Sequence, residues 1–289
     1  MKLIQRQGYL DFLRRNRERP IIKVVSGIRR CGKSTLFRLF KDELLADNVK
    51  PEQIISINFE ELEYEHLRDY HALYQYILER MQPNETNYIF LDEIQHVDQF
   101  HRVVDSLFVK ENTDLYITGS NAYFMSSDIA TLLTGRYVEI QMLPLSFSEF
   151  YHSKYEGNQY SLIPAYEAYL RESSFPYTQQ LGGEDFDIQE YLRGLYNTLL
   201  LHDVVARLKI NDVTILQDIV RYIMANVGSL LSPNKIANSL VSAGRKIDNK
   251  TVERYLQGLQ DSLLLYKVNR YDVRVKNYYV SMQSIIVLM

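Results

Sequence analysis

The sequence predicts an α/β fold: a parallel sheet with crossover helices, then further helices, then a small unit of three helices and two short strands. Three observations carry this. Apolar runs of strand length (Ile21 to Val25, Tyr88 to Leu91, Leu115 to Ile117, Tyr137 to Met142) alternate with helical patterns up to about Phe150, the order that yields parallel strands. The first run enters a glycine-bearing loop and a helix leaves it. After Asp212 the pattern changes to three amphipathic helices and short strands.

Taken in order, Gln7 to Asn16 reads as a short amphipathic helix with Tyr9, Leu10 and Leu13 on one side. The run Ile21-Ile22-Lys23-Val24-Val25 reads as a buried strand. It leads into Gly27-Ile28-Arg29-Arg30-Cys31-Gly32-Lys33-Ser34, which fits GxxxxGK[ST]. From Thr35 to Leu45, Leu36, Leu39, Phe40 and Leu44 recur at helical spacing. Strand, glycine loop and helix are the context a phosphate cradle needs. Gly27 and Gly32 let the backbone curl so that successive N–H groups face an anion, and the helix N-terminus adds positive potential. Lys33 is placed to reach the β/γ-phosphates and Ser34 to hold Mg²⁺, with the nucleotide contacts running from Gly27 to Thr35.

Tyr88-Ile89-Phe90-Leu91-Asp92-Glu93 is an apolar strand ending in two acids. On a strand expected to neighbour the loop strand, Asp92 suits a Mg²⁺-bound water and Glu93 suits polarisation of an attacking water. The next apolar strand ends in Thr118, Gly119, Ser120 and Asn121, whose hydroxyls and amide can sense a γ-phosphate; Gly119 also suits an ordinary strand exit. Thr134-Gly135-Arg136 precedes the last strand, and Arg136 suits charge stabilisation on a transferring phosphoryl group, within the chain or from a neighbouring subunit.

From Ser161 to Ala206 the pattern is mostly helical, broken around Pro176 and Gly182-Gly183, and reads as a lid; Asp203 and Arg207 lie four apart as a surface pair. Beyond it, helices are expected from Thr214 to Val227, from Asn234 to Val241 after Ser232-Pro233, and from the N-cap Asp248 to about Leu264. On the third, Val252, Tyr255, Leu256, Leu259 and Leu263 form a core stripe, and Lys250, Arg254, Gln257 and Asp261 share the opposite face. Short strands, Leu265 to Val268 and Tyr278 to Val280, flank a basic link. Three helices and a two-stranded wing read as a winged helix, with Lys250, Arg254, Lys267 and Arg270 facing duplex DNA, or as a packing module.

Composition sets bounds. The chain has 289 residues, 46% hydrophobic and 24% charged, with a net charge of −3 that argues against a wholly basic nucleic-acid coat. Asn234 to Lys276 nevertheless holds nine Lys/Arg against four acids, while Glu60-Glu61-Leu62-Glu63-Tyr64-Glu65 reads as a solvated acidic face. The single cysteine, Cys31, excludes an internal disulfide. No cationic leader and no apolar stretch of about 18 residues is seen, so a cytoplasmic protein without membrane contact is expected.

Several of these runs together resemble one family: Gly27 to Thr35, Leu91-Asp92-Glu93-Ile94-Gln95, Ile117 to Asn121, Leu133-Thr134-Gly135-Arg136 and Pro144-Leu145-Ser146-Phe147-Ser148-Glu149-Phe150 look like the predicted prokaryotic AAA-type ATPases. There an ATPase module is followed by a winged helix and a nuclease-like domain. The resemblance implies a P-loop NTPase core of the AAA/ASCE type (1–155), a helical lid (156–210) and a winged helix (211–281). It also implies Asp92 as Walker B acid, Glu93 as catalytic glutamate, Asn121 or Ser120 as sensor, and Arg136 at an arginine-finger-like position. The family's Gly-Gly-Phe-Pro-like run near the adenine is here Ser173-Ser174-Phe175-Pro176. Residues 282–289 do not look like the family's continuation, so a truncated or aberrant tail without nuclease chemistry is expected. The resulting reading is an ATP- and Mg²⁺-dependent ATPase, possible as a homo-oligomer, coupled to DNA. Its rival is a non-catalytic nucleotide-gated DNA- or protein-binding switch.

Overall fold

The computed structural model describes residues 3–119, 133, 135–155, 160–181, 185–269 and 283–287. They fall into two compact units that divide at Asp185 and Phe186, inside the 156–210 stretch.

The first unit is built on five parallel strands: β1 (Ile22–Gly27), β2 (Ile54–Asn58), β3 (Asn87–Asp92), β4 (Thr113–Gly119) and β5 (Tyr137–Met142), in the order β2-β3-β4-β1-β5. β1 and β3 are buried along their whole length, which is why they read as continuous apolar runs rather than alternating ones. One sequence expectation is corrected here. β3 does not neighbour the loop strand, because β4 lies between them, paired with β1 on one edge and β3 on the other. The strand carrying the two acids is therefore one position farther out.

Helices cover both faces. Under α2 (Lys33–Ala46) lie Phe37, Phe40, Phe90 and Tyr116, with Phe90 and Tyr116 stacked at 4.6 Å. The other face is aliphatic: Ile22, Val24, Ile89, Leu91, Leu115 and Ile117 meet α3 (Tyr70–Arg80) and α4 (Phe100–Phe108). α1 (Gln7–Asn16) buries Leu10 and Leu13. After β5, α5 (Phe147–Tyr155) and α6 (Leu162–Glu172) close over Leu145, Phe150 and Ala168. A 3-10 turn, Pro176–Gln180, follows.

The second unit begins with α7 (Asp185–Thr198), which runs into an eight-residue π-helical segment, Leu199–Ala206. Then come α8 (Val213–Met224), α9 (Pro233–Ser242) and α10 (Asn249–Asp261). Each starts at a side-chain cap: Asp212 accepts from Thr214 and Ile215 N–H, Ser232 from Lys235 N–H, and Asp248 from Thr251 N–H. A three-stranded antiparallel sheet accompanies them: β6 (Leu230–Leu231), β7 (Leu265–Asn269) and β8 (Gln283–Val287), with β8 in the middle. Sequence reasoning pairs Leu265–Val268 with residues 278–280, which lie outside the described residues. The observed partner comes from the run set apart as a tail, since Lys267 pairs with Ile285. Asp261 shares a face with Gln257, as expected, and has a further partner: it accepts from Arg207 at 2.8 Å and from Gln257 at 2.7 Å, tying α10 to the chain that follows the π-helical segment.

Candidate functional site

The site forms where β1, β3 and β4 end. β5 runs so close to the loop that a Cβ at Gly27 would sit 2.3 Å from the Met142 carbonyl oxygen, so only glycine fits. Gly32, at φ 107, turns the chain into α2, leaving the helix N-terminus facing the loop's concavity. Cys31 is buried, and burial pushes its thiol up, away from the reactive thiolate form.

Lys33 curls back inside this turn. Its ammonium donates to the carbonyls of Gly27 (3.1 Å) and Ile28 (3.4 Å) and stands 3.2 Å from Glu93 Oε1. Burial alone would push the ammonium down; the negative groups facing it outweigh that, so it stays cationic. Burial likewise raises Glu93, but the nearby Lys33 charge and a hydrogen bond from Gln95 hold its carboxyl below the usual range. Glu93 itself is in the left-handed region (φ 55, ψ 48), and its N–H is held by the Thr118 hydroxyl at 2.9 Å.

Asp92 ends β3 and accepts hydrogen bonds from the Ser34 and Thr118 hydroxyls. Burial pushes its carboxyl up, despite these two donors. Asp92 and Ser34 offer two hard oxygen ligands side by side, which fits Mg²⁺, a cation that keeps several waters and takes substrate phosphates besides one or two protein groups. Among the described residues no cluster of three or more His, Cys, Asp or Glu could hold a metal by itself.

Two residues escape sequence reasoning. Arg6 is buried and donates to both oxygens of Glu149 (2.8 and 2.9 Å) and to the carbonyls of Cys31 (3.3 Å), Leu143 (2.5 Å) and Pro144 (3.1 Å). It thereby ties the glycine loop to the segment after β5, and no local signal marks it. Glu149 in turn accepts from Ser146 N–H at 2.8 Å, which explains the Pro144-to-Phe150 run as a capped helix start. The second is Gln95, whose Nε2 donates to Glu93 Oε2 at 2.5 Å. Beside Cys31 and Gly32, a largely apolar cleft is lined by Leu3, Ile4, Leu36, Leu39, Met142 and Pro176.

Of the residues singled out from sequence, Gly27 to Thr35, Asp92 and Glu93 come together with Thr118. Ser120 and Asn121 lie outside the described residues. Arg136 does not join them: it precedes β5, whose Tyr137 pairs with Ile22 and whose Met142 pairs with Gly27, putting it at the opposite end of β1, about 17 Å from the loop at ~3.3 Å per residue. There its guanidinium lies 3.8 Å from Asp105 and 5.6 Å from the Phe108 ring centroid. Lys250 and Arg254 are exposed on α10 beside Glu253, which is exposed too. Lys267 lies on β7, and Arg270 is outside the described residues.

Residues 19–151 match the AAA domain family, and residues 163–288 match a domain of unknown function. An uncharacterized protein of Haemophilus influenzae is 38% identical over 96% of this chain and 69% of its own length. An uncharacterized protein of Methanocaldococcus jannaschii, MJ1544, is 31% identical over 88% of this chain and 58% of its own length. Among solved structures, the Walker-type ATPase PABY2304 of Pyrococcus abyssi superposes with a TM-score of 0.62 at 18% identity, over 91% of both chains. No helix among the described residues is long and apolar enough to cross a membrane.

Proposed function

The chain belongs to the AAA-type P-loop ATPases, and we propose that it binds ATP with Mg²⁺ and hydrolyses it, with Glu93 as the general base. One observation carries the proposal: a loop lysine, a strand-end aspartate bonded to the loop serine, and a second carboxylate held ionised converge at one point. Lys33 leaves Glu93 for the β/γ-phosphates, while Ser34 and Asp92 hold the ion. When bound, Mg²⁺ neutralises charge developing on the phosphates. Glu93, freed on one side, takes a proton from water. The apolar cleft beside Cys31 suits a purine base, with Pro176 of the Ser-Ser-Phe-Pro run as one wall. Ser120 or Asn121 senses the γ-phosphate.

The distance of Arg136 from its own loop favours action on a neighbouring subunit's nucleotide, hence a homo-oligomer. For the second unit we propose a winged helix that binds duplex DNA through Lys250, Arg254, Lys267 and Arg270. The pairing of Asp261 with Arg207 supports this by removing one acid from the exposed face. A cytoplasmic location fits such a protein.

The test is ATP turnover by the purified chain with and without duplex DNA, beside Glu93→Gln and a Lys250→Glu, Arg254→Glu double variant. Glu93→Gln should keep near-normal ATP affinity and lose roughly 10²-fold or more in turnover. Parent-like turnover would move water activation elsewhere, and an inactive parent that still binds ATP would favour the nucleotide-gated switch. Duplex binding by the parent should fall with salt by a log–log slope of about −0.9 per phosphate neutralised, and the double variant should bind more weakly with a flatter slope.

A further inference from the structure

Glu93 hangs from a left-handed residue followed by the single 3-10 turn Ile94–His96. Its backbone is fixed by the bond from its N–H to Thr118, yet three side-chain torsions still separate that anchor from the carboxylate. Two groups fix the carboxylate itself: Lys33 faces Oε1 at 3.2 Å, and Gln95 donates to Oε2 at 2.5 Å. These two are not equivalent. Lys33 is the group that a phosphate chain competes for, and once it turns to the nucleotide the amide is the hydrogen-bond donor that remains on the Glu93 carboxylate among the described residues.

The surroundings of Gln95 point the same way. Its other amide atom, Oε1, is buried and accepts no hydrogen bond among the described residues, where the contact to Glu93 is the one that orients the side chain. An amide placed for packing or for cross-linking the fold would be expected to use both ends, since an unpaired buried carbonyl costs stability.

We infer that Gln95 is a positioning residue for Glu93, keeping its carboxylate aimed while Lys33 transfers from Glu93 to the phosphates. The inference rests on the reading of Glu93 as base and Lys33 as phosphate ligand. It adds that, beside Lys33, the base has a second partner in a side chain two residues on.

The experiment compares Gln95→Met, which keeps length and packing, and Gln95→Glu, which keeps shape but puts an acceptor against Glu93, with the parent and with Glu93→Gln. For each, kcat, the dissociation constant for ATP and the melting temperature are measured on the full chain. Gln95→Met should lower kcat about tenfold and leave ATP affinity within about threefold, with Gln95→Glu losing more turnover, because the amide acts on the base and not on binding. A kcat within about twofold of the parent in either variant, or an affinity that falls in step with kcat, overturns the inference. If Glu93→Gln is inactive while the Gln95 variants are not, only this inference falls. Parent-like turnover by Glu93→Gln removes the hydrolysis reading and this one with it.

Discussion

A buried lysine meets a carboxylate at each end of the same parallel sheet, and the company each pair keeps is different. At the N-terminal end of the strands, Lys23 on β1 donates to Asp114 on β4 and to the Arg19 carbonyl at 2.9 Å, with its ammonium 5.3 Å from the Tyr116 ring centroid. The other oxygen of Asp114 accepts from Tyr116 Oη (2.7 Å) and from Glu18 N–H (2.8 Å). At the C-terminal end, Lys33 rests on two loop carbonyls and Glu93 at 3.1 to 3.4 Å, at or beyond the long end of the usual range. Around it Gln95 Oε1 and His96 Nε2 are buried without partners among the described residues. The first pair is completed by the protein. The second is left less complete, and the nucleotide proposed above would complete it. A buried ion pair is thus no guide to function until its remaining donors and acceptors are accounted for.

The comparison breaks most visibly at Lys23. Lys23→Ala strands a buried Asp114 charge and should cost about 3–5 kcal/mol in denaturant unfolding, while the folded fraction binds ATP as the parent does. A loss of ATP affinity with stability intact would mean that the two ends are coupled.

Lys33→Ala should do the reverse. Losing charge-assisted bonds to the phosphates should weaken ATP binding at least about 100-fold, and stability should fall by less than half as much as for Lys23→Ala, because Gln95 still donates to Glu93. Titration and unfolding of the two variants side by side decide the matter. Unchanged affinity in folded Lys33→Ala would remove the phosphate-loop assignment.

Legibility in the sequence follows the range of the interactions. The glycine loop, the buried strands and the three helix caps are local, set by residues within a few positions of one another, so Gly27 to Ser34, Asp92 and Asp248 could be placed from the chain alone. The order β2-β3-β4-β1-β5 could not be read locally, because Asp92 and Ser34 meet only after β4 has inserted beside β1. Arg6 and Glu149 are 143 positions apart, and Lys23 and Asp114 are 91 apart. An isolated arginine or lysine carries no pattern that announces such a partner. Arg207 makes the same point: beside Asp203, four positions away and evident from spacing, it has a partner in Asp261, 54 positions on, which bonds it at 2.8 Å. β6 has two residues, too few for alternation to show.

The smallest effect tests whether strain beside the site serves the site. Ser173 adopts φ 72, ψ 164, a region that belongs almost entirely to glycine, and its hydroxyl is buried without a partner among the described residues. The next residue's carbonyl accepts from Leu145 N–H at 2.7 Å, and Pro176 just beyond lines the apolar cleft, so this turn sets one wall of the proposed base site. Ser173→Gly relieves the backbone and deletes the orphaned hydroxyl, against a larger loss of chain entropy on folding; the net should be a gain of about 1 kcal/mol in unfolding free energy. If the wall is merely strained, ATP affinity should stay within about threefold of the parent while stability rises. A stabilised variant that binds ATP markedly more weakly would instead show that the strained turn holds the cleft in its binding shape, which would add Ser173 to the incomplete end of the sheet.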